Sequence, residues 1–212
     1  MFISLEGMDG SGKSTAIAPI KEFLEQLGHE VVLTREPGGI KVAEEIRDVI
    51  LTDHSEGMDG LTEALLFIAA RREHLVKVIA PALKRGAVVI SDRFMDSTTV
   101  YQGQARGVGV EKLDQIQNIV LEGFKPDLTI YFDLRLDEAE KRINGRVDEM
   151  NRLDREQVEF KQKVMEGYKA LINKYPDRFE VIDANLGIEE VQQETRKIIV
   201  EALAKYENKH VN

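Results

Sequence analysis

The residues with the clearest chemistry lie near the start of the chain. Residues 7–14 read Gly-Met-Asp-Gly-Ser-Gly-Lys-Ser, which satisfies every fixed position of the phosphate-binding pattern G-x-x-x-x-G-K-[ST]. The glycines let backbone N–H groups surround a polyphosphate, and a following helix directs its positive end at the anion. Lys13 would add a mobile charge and Ser14 a hydroxyl ligand for Mg²⁺. A glycine-rich hairpin is the structural alternative, but the apolar run Phe2–Leu5 before the loop and the helical pattern after it favour phosphate binding.

Two further segments whose residues could take part in binding or catalysis follow other predicted strands. Asp92 ends the apolar run 88–91, a position where a carboxylate can hold Mg²⁺ directly or through water. Segment 35–39 reads Arg-Glu-Pro-Gly-Gly at the end of the second strand, where the ligand loops of open α/β sheets gather. An ordinary Pro-Gly turn is the alternative for this second segment.

A cluster of arginines stands within residues 141–155, a polar stretch between two predicted helices. The arginines are Arg142, Arg146, Arg152 and Arg155. Such a segment suits a mobile lid that brings guanidinium groups onto a transferring phosphoryl group. A solvated surface loop is the alternative for any run of charge, but the phosphate-binding loop elsewhere in the chain favours the lid.

Composition narrows the class of protein. A chain of 212 residues has the size of one large α/β domain, so we expect a single domain over 1–212. No run approaches the ~20 apolar residues of a membrane span, and the N-terminus carries no secretory signal pattern. The absence of cysteine excludes disulfides and thiolate chemistry, and a net charge of -9 argues against a general nucleic-acid binder. We therefore expect a cytoplasmic protein with neither nucleic-acid nor membrane partners.

Short apolar segments alternate with longer helical patterns, which predicts an α/β protein with a parallel sheet. The predicted strands are Phe2–Leu5, Val31–Thr34, Ala87–Ser91, Leu128–Phe132 and Phe179–Ile182. The predicted helices are Lys13 to Gly28, Leu61 to Arg85 with a kink site at Pro81, Glu156 to Lys174, and Ile188 to Tyr206. We expect residues 71–74 to form the polar face of the second helix and the polar residues 207–212 to fray.

Short segments spread along the chain carry a family resemblance. They are residues 5–15, 34–39, 66–72, 92–94, 101–103, 126–129 and 151–154. On these segments, and over essentially its whole length, the chain resembles the thymidylate kinase family of P-loop nucleoside monophosphate kinases. The resemblance implies a three-layer P-loop NTPase fold, with a five-stranded parallel sheet flanked by helices and a short mobile lid at about 141–155. It also implies a homodimer that transfers a phosphoryl group from ATP to dTMP with Mg²⁺, in dTTP biosynthesis.

The resemblance assigns roles around the sugar and base of dTMP. Asp9 matches the acid that reaches the 3′-hydroxyl, and Tyr101 matches the aromatic that favours deoxyribose over ribose. Phe67 matches the residue that stacks on thymine, and Arg71, one helical turn later, matches a hydrogen-bond donor to the base. The remaining base-contacting positions are Ser97 and Gln102. For Phe67 and Tyr101, packing in the core is the structural alternative.

Other matched residues surround the phosphates. Arg47 and Arg93 match the arginines that grip the acceptor phosphate, where bidentate geometry favours Arg over Lys. Glu36 and Pro37 complete the predicted acceptor site. The predicted donor site consists of Gly7, Met8, Asp9, Gly10, Ser11, Gly12, Lys13, Ser14, Thr15 and Arg142, with Ser14 and Asp92 as metal ligands.

The position of the catalytic arginine distinguishes two arrangements within the family. Gly10 follows Asp9 here, so the phosphate-binding loop has no arginine, and Arg152 in the lid matches the bacterial arrangement. The predicted catalytic residues are Lys13, Arg93, Arg152 and Asp9. Ile40 and residues 147–150 depart from the family pattern.

Alternative functions remain open from the sequence. One is a different P-loop nucleoside monophosphate kinase or a deoxynucleoside kinase, and another is a regulatory nucleotide-binding ATPase. GTPase switches carry D-x-x-G and N-K-x-D motifs, whereas residues 92–95 read Asp-Arg-Phe-Met and no N-K-x-D occurs. A nucleoside monophosphate has a second pKa of about 6, so its transfer needs no general base, which fits four histidines without a recognisable catalytic pairing.

Overall fold

Five short strands, each rich in apolar residues, form the central sheet of the protein. A computed structural model describes residues 1–52, 55, 57–144 and 156–210. The strands are β1 (Phe2–Glu6), β2 (Val31–Arg35), β3 (Val88–Asp92), β4 (Leu128–Asp133) and β5 (Phe179–Asp183). They pair in the order β2-β3-β1-β4-β5, and every pairing is parallel. The predicted α/β class and five-stranded parallel sheet are confirmed.

Helices connect the strands and cover the sheet. They are α1 (Lys13–Gln26), α2 (Lys41–Leu51), α3 (Gly60–His74), α4 (Ala80–Lys84), α5 (Met95–Thr98), α6 (Val110–Val120), α7 (Leu136–Asn144), α8 (Val158–Lys174) and α9 (Ile188–His210). Two π-helical segments accompany them, Leu75–Ile79 between α3 and α4 and Thr99–Ala105 directly after α5. None of the helices in these described ranges is long and apolar enough to cross a membrane.

Alternating strand residues bury their side chains in two separate layers of the core. Ile3 and Ile90 pack with Leu24 of α1 and Tyr168 of α8 in the larger apolar cluster. On the other side, Phe2 and Val89 pack with the π-helical segment before α4. Because strand residues alternate between faces with a period of two, the sheet forms the middle of three layers.

The helix predicted from Leu61 to Arg85 is interrupted. A π-helical segment, Leu75–Ile79, stands directly before α4. Pro81 lies in the first turn of α4, where a missing N–H is tolerated. The prediction that residues 71–74 form the polar face of this helix is wrong for Arg71 and His74, which are only 2% and 0% exposed, whereas Arg72 and Glu73 are partly exposed. The side chains of Arg71 and His74 point inward to partners from other elements.

The C-terminal helix is longer than predicted. α9 continues to His210, beyond the predicted end at Tyr206, and residues 211–212 lie outside the described range. The predicted fraying of the C-terminal residues stays a prediction. Glu and Lys favour helix nearly as well as alanine does, which explains why a polar sequence extends the helix. Helices α2, α5, α6 and α7 were not predicted.

The register of the sheet positions the functional loops. Asp92 of β3 lies beside Leu5 of β1 and Arg35 of β2, and Glu6 lies beside Tyr131 of β4. The carboxyl ends of β1, β2, β3 and β4 therefore meet at one edge. In open parallel sheets this edge is where ligands bind.

Candidate active site

The loop between β1 and α1 wraps around the ammonium group of Lys13. A Cβ atom added at Gly7 would lie 2.9 Å from the carbonyl oxygen of Phe132, so only glycine fits there. Lys13 is 5% exposed, and its Nζ donates hydrogen bonds of 2.9 Å to the carbonyl oxygens of Gly7 and Met8. Burial, with a smaller contribution from the charge of Arg93, lowers the pKa of Lys13 to about 8. A polyanion bound in the loop would favour the charged form of Lys13 and so raise its pKa again.

Ser14 and Asp92 meet beside this loop. The Ser14 hydroxyl donates to Asp92 Oδ2 at 3.4 Å, and Asp92 Oδ1 is the one buried side-chain polar atom without a hydrogen-bond partner in the described ranges. No group of three acidic or histidine side chains that could hold a metal occurs in those ranges. A hydroxyl and a carboxylate with one unsatisfied oxygen fit Mg²⁺, which is usually bound by few protein ligands together with phosphates and water.

A cleft, here called the Asp9 cleft, opens on one side of the loop. It has an open volume of about 580 Å³, part of it continuous with solvent. Every residue predicted for the acceptor site lines this cleft: Asp9, Glu36, Pro37, Arg47, Phe67, Arg71, Arg93, Ser97, Tyr101 and Gln102. Leu51 and Thr98 line it too and were not predicted. Residues that lie up to 93 positions apart in the sequence are thus brought to one surface.

Arg93 organises the part of the Asp9 cleft nearest the loop. Its backbone is in the left-handed region, with φ 69, an unfavourable conformation for a residue with a Cβ. The guanidinium donates to Asp9 Oδ1 at 2.8 Å and to Ser97 Oγ at 3.0 Å, and it lies 5.1 Å from the centre of the Tyr101 ring. Arg47 lies in the same cleft and donates to the carbonyl oxygen of Pro37.

Arg71 lies at the buried part of the cleft. Its Nε donates to Glu36 Oε2 at 2.6 Å, and Nη1 donates to Thr98 Oγ1 and Gln117 Oε1. Nη2 donates to the carbonyl oxygen of Phe94 at 3.0 Å. The resemblance assigned Arg71 a base contact, and the structure adds a network that fixes its guanidinium in place.

His74, like Thr98 and Gln117, is a buried member of this network that was not predicted from the sequence. His74 Nδ1 lies 2.8 Å from Glu36 Oε1, and its Nε2 contacts Thr34 Oγ1 at 2.5 Å. Both oxygens of Glu36 are therefore occupied, one by Arg71 and one by His74. This pairing could not be predicted from the sequence because the partners are 38 positions apart. The His74 ring does not line the Asp9 cleft.

Glu6 is a further buried residue beside the cleft that was not predicted to act in the site. It is 0% exposed and accepts hydrogen bonds from the backbone N–H of Phe94, from Ser97 Oγ and from Tyr168 Oη, at 2.6 to 2.8 Å. Burial raises the pKa of its carboxyl group, and the nearby charge of Asp96 raises it further. Its place directly before the phosphate-binding loop, as a charged end to a buried strand, was the only sequence signal.

A second cleft, here called the Arg142 cleft, opens on the other side of the loop, with an open volume of about 800 Å³. Arg142 of α7 lies over it and donates to the carbonyl oxygens of Gly10 and Ala184 at 3.5 and 3.4 Å. Of the residues predicted for the donor site, this cleft includes Gly10, Ser11, Gly12, Thr15 and Arg142. Its apolar lining was not predicted and consists of Ala16, Ala184, Leu186, Ile188 and Val191.

Part of the predicted lid lies outside the described residues. Residues 141–144 form the last turn of α7, while 145–155, which include Arg146, Arg152 and Arg155, are not described. The predicted catalytic role of Arg152 therefore stays a prediction.

Comparison with known proteins points to one family. The family model described as thymidylate kinase matches residues 5–195. A thymidylate kinase of Mesoplasma florum is 56% identical over 203 residues, covering 96% of each chain. One of Mycoplasma capricolum is 52% identical over 213 residues, covering 100% of each chain. The crystal structure of thymidylate kinase from Ehrlichia chaffeensis is similar with a TM-score of 0.75 and 37% identity, over 94% of this chain and 97% of that one.

Proposed function

The chain belongs to the thymidylate kinase family, and we propose that it transfers a phosphoryl group from ATP to dTMP, giving ADP and dTDP. The Asp9 cleft is the proposed site of dTMP, and the Arg142 cleft is the proposed site of ATP. On this proposal, the protein is a single domain of 1–212 that supplies dTDP for dTTP biosynthesis.

The observation that carries the proposal is the position of the phosphate-binding loop between two clefts. Asp9 lines one cleft, and the next residue, Gly10, lines the other. A donor and an acceptor bound in these clefts would approach one another at the loop, beside Lys13 and Arg93. Such an approach is what in-line phosphoryl transfer requires.

The proposed contacts of dTMP follow from the chemistry of the Asp9 cleft. Phe67 stacks on the base, and Arg71 and Gln102 contact its polar edge. Arg47 and Arg93 hold the acceptor phosphate, and Asp9, oriented by its ion pair with Arg93 at 2.8 Å, reaches the sugar 3′-hydroxyl. Tyr101 is 8% exposed and crowds the sugar, which favours deoxyribose. Ser97, Glu36 and Pro37 complete the site.

The proposed donor site combines charge and apolar surface. The backbone N–H groups of residues 7–15 hold the phosphates of ATP, with Lys13 as the mobile cation. Leu186, Ile188 and Val191 provide an apolar surface for the adenine ring, beside the guanidinium of Arg142. ATP is therefore proposed to lie with its base over α9 and its phosphates in the loop.

Catalysis is proposed to rest on position and charge. The acceptor phosphate is largely ionised at neutral pH, because its second pKa is about 6, so no side chain need remove a proton. Lys13 and Arg93, and Arg152 from the lid, stabilise the charge of the transferring group. Ser14 and Asp92 would hold Mg²⁺, which neutralises donor phosphate charge when it is bound.

The carboxylates of the Asp9 cleft argue against a deoxynucleoside kinase. Such an enzyme must deprotonate a 5′-hydroxyl and therefore needs a general base. Asp9 is ion-paired with Arg93, and Glu36 binds Arg71 and His74. Both carboxylates are held by cationic or hydrogen-bonding partners, which disfavours the role of a base.

We further propose a cytoplasmic homodimer. Leu65 and Ile119 are 46% and 75% exposed on α3 and α6, two helices joined by the Arg72 contact to the carbonyl oxygen of Val120. Exposed apolar side chains on adjacent helices suit an interface between copies. Light scattering should give twice the chain mass of 24.0 kDa, and a mass of one chain would contradict the dimer.

An acceptor panel tests the proposed reaction. The purified protein is incubated with Mg-ATP and, separately, dTMP, dUMP, dCMP, dAMP, dGMP and thymidine, and products are separated by chromatography. We expect dTMP to have the highest kcat/KM and thymidine to be left unchanged. Preferential conversion of thymidine or of another monophosphate would contradict the proposal.

A further inference from the structure

Gln102 and Glu63 form a buried pair at the edge of the Asp9 cleft. Gln102, in the π-helical segment Thr99–Ala105, is 2% exposed, and Glu63, in the first turn of α3, is 0% exposed. The two side chains are joined by a hydrogen bond of 2.8 Å from Gln102 Nε2 to Glu63 Oε1. Gln102 lines the cleft, whereas Glu63 does not.

This pairing gives the Gln102 amide a single orientation. A side-chain amide has one end that donates and one that accepts, and the two ends have the same shape. A carboxylate only accepts, so the end that meets Glu63 is the NH₂ group. A flipped amide would bring its carbonyl oxygen against a buried carboxylate and lose a hydrogen bond, both of which are costly away from water.

The carbonyl oxygen of Gln102 is thereby directed at the cleft. This oxygen makes no hydrogen bond within the described residues. Among those residues, Asp92 Oδ1 is the only buried side-chain polar atom that lacks a partner, so the Gln102 oxygen is not fully buried. It is therefore open to the space that Gln102 lines. An acceptor facing a cleft is a site for a donor from the ligand.

Arg71 presents the opposite polarity at the same surface. Its bonds to Glu36, Thr98, Gln117 and Phe94 account for Nε, for both N–H groups of Nη1 and for one N–H of Nη2. The second N–H of Nη2 remains available to a ligand in the cleft that Arg71 lines. Together, Arg71 and Gln102 offer one donor and one acceptor.

We propose that Glu63 is a specificity-determining positioning residue, which holds Gln102 so that the cleft accepts thymine or uracil and rejects cytosine. This inference rests on the proposed function. Thymine and uracil present the O4 acceptor and the N3–H donor, which match Arg71 and the Gln102 carbonyl. Cytosine presents the N4–H₂ donor in place of O4 and an N3 acceptor in place of N3–H. Its N4–H₂ would therefore face the Arg71 donor, and its N3 would face the Gln102 carbonyl oxygen. Without Glu63, the amide could turn to donate to cytosine N3.

The test compares Glu63→Gln with the parent, using dTMP, dUMP and dCMP as acceptors at saturating Mg-ATP. A glutamine at 63 can accept or donate, so it permits both orientations of Gln102. We expect the ratio of kcat/KM for dTMP to that for dCMP to fall about tenfold or more, mainly through KM. The ratio for dTMP to dUMP should not change, because both bases have the same polar edge.

Glu156→Gln is the matched control. Arg106 contacts both Glu63 and Glu156, so this control removes the same charge from the same arginine without touching Gln102. We expect its dTMP to dCMP ratio to equal that of the parent. A fall as large as that of Glu63→Gln would overturn the inference, because the effect would then come from Arg106.

Gln102→Met provides a second test that does not depend on the folding of Glu63→Gln. This variant removes the amide that Glu63 orients, so it should itself lower the dTMP to dCMP ratio. Adding Glu63→Gln to it should change the ratio no further. An unchanged ratio in folded Glu63→Gln or in Gln102→Met would overturn the inference. A parent that does not phosphorylate dTMP would instead contradict the proposed function.

Discussion

At the scale of single residues, chemistry depends on partners that are distant in sequence. Lys13 and Ser14 could be assigned from the local pattern alone, since the loop spacing determines where both side chains lie. Glu6 and His74 could not, because their partners are 162 and 38 positions away. Residue type indicates what a group can do, but only the fold determines which groups it meets.

Lys13 predicts proton uptake when ATP binds. Its pKa in the ligand-free protein is lowered to about 8, so at pH 8.5 the Lys13 side chain is neutral in most molecules. The phosphates of ATP favour the charged form, so binding should take up a large fraction of one proton at pH 8.5 and little at pH 7. Calorimetry in buffers of different ionisation enthalpy measures this uptake.

Lys13→Arg is the control for this measurement. An arginine remains charged throughout this pH range, so the variant should bind ATP without proton uptake at either pH. Equal uptake by the parent and the variant would show that the proton goes to another group, and the assignment to Lys13 would be wrong.

At the scale of elements, one carboxylate links three parts of the site. Glu6 ends β1, and its oxygens accept from Phe94 and Ser97 around the start of α5 and from Tyr168 of α8. Arg93 lies between these anchors and donates to Ser97. The left-handed backbone of Arg93 is thereby held by hydrogen bonds on its C-terminal side, which fixes the direction of its guanidinium toward Asp9.

Glu6→Gln should weaken catalysis without preventing folding. The amide NH₂ group would face at least one of the donors that now bond to the Glu6 carboxylate, so that hydrogen bond would be lost. A hydrogen bond to a charged group contributes about 1.5–3 kcal/mol. We expect kcat/KM for dTMP to fall about tenfold or more, because Arg93 is displaced. The affinity for ATP in the absence of dTMP should stay close to that of the parent.

Glu22→Gln is a matched control on the exposed surface of α1. It makes the same chemical change away from both clefts and should leave both quantities unchanged. A normal kcat/KM for dTMP in folded Glu6→Gln would mean that Arg93 is positioned without Glu6.

At the scale of the whole molecule, much of the sheet was predictable and much of the helical framework was not. Each predicted strand matches an observed one to within about a residue at either end, because short segments rich in apolar and β-branched residues indicate strands even where, as in β2, no residue is fully buried. Helix α5 has four residues and the segment Thr99–Ala105 has seven, which is too few to reveal an amphipathic period, yet they carry Ser97, Tyr101 and Gln102 into the Asp9 cleft. The acceptor residues could be identified from family motifs, whereas the network around Arg71 depends on tertiary packing.

The most direct test of the account follows the labelled phosphoryl group of [γ-³²P]ATP in the presence of dTMP and Mg²⁺. Products are resolved by chromatography as dTDP, ATP and inorganic phosphate. Phosphoryl transfer between the two clefts predicts one labelled dTDP for each ATP consumed, with little inorganic phosphate and no ATP consumption when dTMP is omitted. Label recovered as inorganic phosphate at the same rate with and without dTMP would indicate an ATPase and contradict the account.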